Sequence, residues 1–295
     1  MNMPEFYIVD VFSEEKYAGN QLAVFRNTES LTDIEMQRIA REMNFSETTF
    51  ILSEEPRNEG YDVRIFTPKT ELPFAGHPTL GTGFVIQQEI VKRNIDTVIL
   101  NLKVGQIPVT LNYIKDKLDV LWMRQISPTF GPVHEKEQFV DILGLERDDI
   151  FDQFPIQEVS TGMFDFIVPL KTLDAVKKAH VSKEKFSRLI EHTQSKAVLI
   201  FSPETYDNRN DLNVRFFADY FGVPEDPATG SANGCLAAYL VKHKYFGKKD
   251  IDIRVEQGYE LERPSLLLLR AKNSSGEIEV NVGGRVVMIA RGKFV

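Results

Sequence analysis

Short apolar, β-branched runs bounded by turn residues dominate the first third of the chain. Phe6–Val11, Leu22–Phe25, Thr48–Leu52, Val63–Phe66 and Thr97–Leu100 each read as a strand. Among them, Leu31–Met43 carries Leu31, Ile34, Ile39, Ala40 and Met43 at helical spacing, which predicts a peripheral amphipathic helix. Two other segments have no polar side. Leu80–Ile90 opens on Gly81, Thr82, Gly83, Phe84, Val85 and Ile86, and Leu236–Tyr245 belongs to an equally apolar stretch over Gly234–Val241. A helix that is apolar all round is buried all round. With about six strands per half and one such helix, the natural packing is a sheet curled around a central helix, not a doubly wound βαβ sheet.

The two apolar helices belong to an internal repeat. Val63-Arg64-Ile65-Phe66 returns as Val214-Arg215-Phe216-Phe217, 151 residues later. Pro73-Phe74-Ala75-Gly76-His77-Pro78-Thr79 precedes the first helix, and Pro227-Ala228-Thr229-Gly230-Ser231-Ala232-Asn233 precedes the second, with the glycines 154 apart. Leu102-Lys103-Val104-Gly105-Gln106 echoes in Val255-Glu256-Gln257-Gly258 at an offset of 153. Each echo alone means nothing; three in one order at nearly one offset mark a duplication. The predicted halves are residues 1–125 with a final strand at about 284–295, and residues 126–283.

Composition narrows the function classes. The 295 residues are 42% hydrophobic and 26% charged, the balance of a soluble globular protein large enough to bury a core. A single cysteine, Cys235, excludes an internal disulfide framework and suits a reducing compartment. Met1–Val11 has no secretory pattern, and the longest apolar runs, such as Ala197–Phe201 and Leu266–Leu269, are far too short to span a membrane. These features predict a cytoplasmic protein. The net charge of −8 argues against nucleic acid or an anionic membrane as partner, while leaving a small anion possible in a local pocket.

The matched turns are the first candidate site. The opening N–H groups of a helix lack intrahelical partners and sit at its positive end, so Gly76 and Gly230 can admit a carboxylate or oxyanion. Tight turns into packed helices are the plainer explanation, but the duplicated position, with His77 and Ser231 matched, favours binding. Glu47, in Ser46-Glu47-Thr48-Thr49-Phe50, could complete a capping box with Asn44. The β-branched pair Thr48-Thr49 argues instead for a strand start, where a partly desolvated acid would shuttle a proton. His77, held between Gly76 and Pro78, is expected to turn its ring outward. Asp226 before Pro227 reads as an ordinary helix cap, although the buried helix is expected only from Ser231 or Ala232.

Several signatures fail. Gly81-Thr82-Gly83 lacks the third glycine of a dinucleotide fingerprint, and no GxxxxGK[ST] occurs. Gly230-Ser231-Ala232-Asn233-Gly234 is out of register with GxSxG, and the five histidines show no metal-ligand spacing.

Together these segments resemble the phenazine-biosynthesis PhzF-like family. The resemblance is carried by Phe12 with Gly19-Asn20, Asn44-Phe45-Ser46-Glu47-Thr48-Thr49-Phe50, Phe66-Thr67-Pro68, Pro73–Thr79 and Glu225-Asp226-Pro227-Ala228-Thr229-Gly230-Ser231-Ala232, and runs from Phe6 to about Gly284. It implies an α+β, diaminopimelate-epimerase-like fold of two pseudo-symmetric domains, each a mostly antiparallel sheet around a central helix, with the site in the cleft between them. It also implies a cofactor-free isomerase acting on a small carboxylate-bearing metabolite. Glu47 would be the general acid/base, with His77 and Asp226 as catalytic partners. Gly76, Gly230 and Ser231 would hold the carboxylate, with Asn20 and Thr229 also at the substrate. No metal or organic cofactor is implied, and homodimers are. Fold relatives that racemise with two thiols carry cysteines where Ala75 and Thr229 stand here, which removes that mechanism and leaves Cys235 as a packed core residue. Gln21 departs from the proline common in the family. The alternatives are a noncatalytic small-anion-binding protein that kept the cleft and, more remotely, a nucleotide-dependent oxidoreductase.

Overall fold

The computed structural model describes residues 4–294; Met1–Met3 and Val295, which the predicted first half includes, lie outside the described residues. The chain divides into two compact units, one running to Met123 and resuming at Gly283, the other Arg124–Val282.

In the first unit, β1 (Glu5–Val11) pairs antiparallel with β2 (Asn20–Arg26) on one edge and with the C-terminal strand Val286–Lys293 on the other. β2 runs parallel to the strand after it, and a parallel pair needs a crossover. Helix α1 (Asp33–Met43) supplies it, leading into β3 (Glu47–Ile51). β4 (Tyr61–Phe66) returns antiparallel to β3 and takes the two-residue β5 (Glu71–Leu72) on its edge. The second crossover carries α2 (Gly76–Val85), extended by a π-helical turn over Ile86–Val91, and delivers β6 (Thr97–Leu102) parallel to β4. β7 (Gly105–Ile114) and β8 (Lys117–Arg124) follow as antiparallel hairpins.

The second unit repeats that order of pairings. β9 (Thr129–His134) and α3 (Lys136–Leu143) lead into β10 (Ile156–Ser160), which pairs antiparallel with β11 (Phe164–Pro169). Helices α4 (Leu173–Lys178) and α5 (Lys183–Ile190) make the crossover to β12 (Ala197–Ser202), parallel to β11. β13 (Leu212–Ala218) is antiparallel to β12 and carries the short β14 (Val223–Asp226). Helix α6 (Gly230–Lys242) then precedes β15 (Asp250–Gln257), parallel to β13, and β16 (Ser265–Ser274) and β17 (Glu277–Gly284) follow.

Local chemistry sets the helix limits. The Thr32 hydroxyl accepts from the Glu35 N–H while the Glu35 carboxylate accepts from the Thr32 N–H at 2.8 Å, so α1 starts at Asp33 rather than Leu31. Met36 and Ala40 are buried against Ala23, Phe25, Phe50 and Phe66, but Ile34, counted above with the apolar stripe, is 65% exposed. Asn44 ends α1 in the left-handed region at φ 54° instead of capping a new helix.

The apolar helices are enclosed as their composition predicts. α2 packs on β1, β2, β3, β6 and β7, and α6 on β10, β11, β15 and β16. Both begin earlier than predicted, at Gly76 and Gly230, because their small first turns are enclosed with the apolar turns that follow, Ser231 alone being half-buried. Each unit also holds more strands than the half-dozen expected. β7 shows why: six of its ten residues are exposed, so the apolar signal is diluted. The helices α3, α4 and α5 were not predicted either; Phe139, Val176 and Phe186 cover Phe166, Val198 and Ile200 on the sheet side away from α6. Among the described residues no helix is long and apolar enough to cross a membrane.

Candidate active site

In the first unit the site is set by the alternation of β3. Thr49 faces α2, where its hydroxyl lies 2.8 Å from that of Thr82, and Phe50 packs beneath α1. Glu47, two residues before Thr49, therefore points to the α2 side. There its Oε2 lies 3.4 Å from His77 Nε2 on the first turn of α2. The predicted strand start at Glu47 is observed, and the capping-box alternative is not.

The ring of His77 does not turn outward as expected. The residue is 6% exposed, because Gly76 already belongs to the helix and its first turn is enclosed. The Gln21 carbonyl accepts a hydrogen bond from the ring, and Nε2 has no hydrogen-bond partner, so the bond belongs to Nδ1. Burial pushes the imidazole down to about 3, with the Gln21 carbonyl opposing more weakly. His77 is thus neutral at ordinary pH, protonated on Nδ1, and turns the Nε2 lone pair toward Glu47.

The segment that supplies Gln21 is tightly shaped. Buried Asp10 accepts from the Tyr17 N–H at 2.8 Å, and Phe12, Tyr17 and Gly19 are all left-handed, at φ 61°, 70° and 67°. A Cβ on Gly19 would lie 2.4 Å from the Val11 carbonyl oxygen, so only glycine fits. The turn delivers Asn20, 2% exposed, opposite Val11, and Gln21 opposite Asp10. Gln21 serves His77 through its backbone carbonyl, so that bond does not depend on the Gln21 side chain.

In the second unit, Asp226 ends β14 and Thr229 is the residue before α6. The Thr229 hydroxyl donates to Asp226 Oδ2 instead of capping the helix, so the residue at the cap position is Thr229, not Asp226, and its side chain leaves the first turn, which holds Gly230 and Ser231, without a cap bond of its own. Gln257, fully buried, binds the turn from behind. Its Nε2 donates to the Asp226 carbonyl at 2.8 Å, and its Oε1 accepts from Asn233 Nδ2 at 2.9 Å and from the Thr229 N–H at 3.3 Å. Asn233 Nδ2 also reaches the Thr229 carbonyl at 3.0 Å. The first unit has the counterpart: the Thr79 hydroxyl donates to the Ala75 carbonyl at 2.7 Å, and Ala75 likewise leaves α2 uncapped by a side chain. Gln257 and Asn233 escaped the sequence reading as site residues, although both lie within the repeat landmarks.

The candidates thus fall into two groups: Glu47 and Asn20 on strands with Gly76 and His77 at the start of α2 in one unit, and Asp226 and Thr229 with Gly230 and Ser231 at the start of α6 in the other. Cys235 is fully buried, and burial with the neighbouring Asp165 pushes its thiol well above its usual range. Among the described residues no three His, Cys, Asp or Glu side chains gather as a metal-binding group. A surface hollow of about 370 Å³ beside α1, lined by Arg38, Arg41 and Arg64, includes none of the candidates; Arg64 is already held by Glu71 and Asp33.

The family described as phenazine biosynthesis-like protein matches residues 9–292. The chain is 34% identical to the trans-2,3-dihydro-3-hydroxyanthranilate isomerase of Pseudomonas aeruginosa, over 99% of each chain. It is 33% identical to an uncharacterised isomerase of Clostridium acetobutylicum, over 98% of this chain and 97% of that one. The crystal structure of a PhzF-family phenazine biosynthesis protein from Bacillus anthracis matches at a TM-score of 0.90 and 27% identity, with both chains covered in full. A probable proline racemase from Agrobacterium radiobacter shares the fold at a TM-score of 0.63 and 11% identity, over 99% of this chain and 93% of that one. The expected α+β fold and isomerase class agree with these relatives: the chain belongs to the phenazine biosynthesis-like protein family, and it is an isomerase.

Proposed function

We propose that this isomerase moves a proton between carbons of a small carboxylate-bearing substrate, with Glu47 as general acid/base. The observation that carries the reading is the Glu47–His77 contact of 3.4 Å, made to a neutral, buried imidazole. With Nδ1 bonded to the Gln21 carbonyl, Nε2 can only accept. A Glu47 carboxylate that removes a C–H proton becomes a carboxylic acid able to donate to that lone pair, so the proton stays beside the substrate. The substrate's electron pair is delocalised over its conjugated system, and Glu47 returns the proton at another carbon. The bond broken and the bond formed are both C–H, and no oxidant or reductant enters.

Asp226, oriented by Thr229 and Gln257, is the second proton-handling group of the proposal. Gly230 and Ser231 would hold the substrate carboxylate through first-turn N–H groups and the Ser231 hydroxyl. Gly76 offers the same kind of donor at α2, and Asn20 and Thr229 border the substrate. The substrate proposed is a conjugated carboxylate of the kind that names the Pseudomonas relative. A small metabolite is the partner, and no cofactor is part of the scheme.

The test is solvent-deuterium incorporation followed by NMR, with trans-2,3-dihydro-3-hydroxyanthranilate and a panel of cyclic and amino carboxylates. Glu47→Gln should slow incorporation by about 10²–10⁴-fold while leaving carboxylate binding near wild type. Equal incorporation by wild type and variant would remove Glu47 from the role.

A further inference from the structure

Gln125 follows β8, with its N–H bonded to the Val280 carbonyl at 2.9 Å. Its side chain is 6% exposed, and the amide nitrogen, shut off from solvent, has no hydrogen-bond partner. Orphaned buried N–H groups are rarer than orphaned oxygens, because each carries the full desolvation penalty with nothing to offset it. The other orphaned side-chain atoms described in the second unit are acceptors, Asn213 Oδ1, Asn233 Oδ1 and Glu260 Oε2. Gln125 stands apart as a donor without an acceptor.

Its place on the helix gives the donor a target. A Cβ on Gly234 would lie 3.0 Å from Gln125 Cγ and 3.3 Å from Cδ, so the side chain lies across α6 where glycine leaves room. Gly234 is three residues after Ser231, on the same helix face. Thr161 traces that face independently: its hydroxyl donates to the Ser231 carbonyl at 3.3 Å and lies 3.1 Å from the Gly234 Cβ position. For packing alone, leucine or methionine would fill this space without the cost of a buried donor.

We propose that Gln125 is a substrate-binding residue whose side-chain N–H donates to a carboxylate oxygen of the ligand held at the first turn of α6. The inference rests on the reading of that turn as the carboxylate site. It adds a donor from outside the turn, one that fixes the rotation of the carboxylate and not only its position.

The test uses the full chain and anthranilate, an aromatic carboxylate with no C–H to isomerise. In the wild type, anthranilate should shift both the Ser231 backbone amide and the Gln125 side-chain amide in ¹⁵N NMR, along one saturation curve. Gln125→Met should keep the Ser231 response, weaken anthranilate binding about tenfold, and unfold at or above the wild-type temperature. Unchanged affinity in Gln125→Met, or a Gln125 amide that stays still while Ser231 shifts, would overturn the proposal. So would a lower unfolding temperature, since that would mean that the amide is already used in the fold. A silent Ser231 with a shifting Gln125 would instead remove the carboxylate reading of the turn and keep Gln125 as a ligand contact. If both are silent, both readings fall.

Discussion

Replacing Asp165 by asparagine should make the protein more stable at neutral pH and should flatten the dependence of stability on pH. Asp165 lies in β11, opposite Val159 of β10 and Ala197 of β12, and is 3% exposed. Burial pushes its carboxyl from the ordinary 3.8 up to about 8, and a hydrogen bond with Cys235 opposes the rise only in part. The folded protein therefore keeps a proton that the unfolded chain has already lost. Stability from this group is complete below 3.8 and declines as pH rises toward 8, by about 1.4 kcal/mol per pH unit. At pH 7 the loss reaches about 4 kcal/mol, a large share of the stability of an ordinary domain. Asparagine keeps the shape and, in its Oδ1, an acceptor for the Cys235 S–H, but does not titrate. Urea unfolding of both proteins at pH 5, 6 and 7 should show the variant's advantage growing by about 1.4 kcal/mol at each step. An advantage that stays constant over that range would refute the reasoning, because it would mean that Asp165 has the same charge in the folded and unfolded chains.

The first unit offers two further tests. The Thr48 hydroxyl is fully buried with no hydrogen-bond partner, so Thr48→Val should raise stability by about 1 kcal/mol in chemical denaturation. His77, pushed down to about 3, should give the ¹⁵N spectrum of a neutral, Nδ1-protonated ring at pH 5, and a protonated ring there would contradict its burial. The same lowering means that stability from His77 is present above the unfolded value near 6.5 and is lost as pH falls toward 3.

What the sequence disclosed follows from how local the signal is. The β-branched runs became β1 to β4 and β6 nearly as read, because alternation and bounding turns act over a few residues. The enclosure of α2 and α6 was equally legible, since a helix without a polar side has only one environment. Their starting points were not: Gly76-His77-Pro78 and Gly230-Ser231 carry no apolar signal, and Gly76 and Pro78 on either side of His77 suggest an outward-facing turn where the chain is already an enclosed helix. Glu47 and His77 could be named separately, but their contact depends on α2 passing the start of β3, which no local pattern encodes. Gln257 lies 28 residues beyond the Thr229 N–H it binds, and only its recurrence near Gly258 hinted at use. Gln125 gave no signal, because it follows the apolar run Val120–Met123 and reads as the polar end of a strand.

The edge of β1 opposite β2 is filled by the C-terminal strand, with Glu5 opposite Lys293 and Val11 opposite Val286. On the ribosome the first unit therefore emerges early yet must wait, with that edge of β1 unpaired, until the whole of the second unit has been made. Arg124–Val282 can close on itself first, although it comes later in the chain. Loss of the last ten residues would accordingly strike the unit that contains Glu47 and His77, and a nascent chain stalled near Val282 would present β1 to any partner able to add a strand.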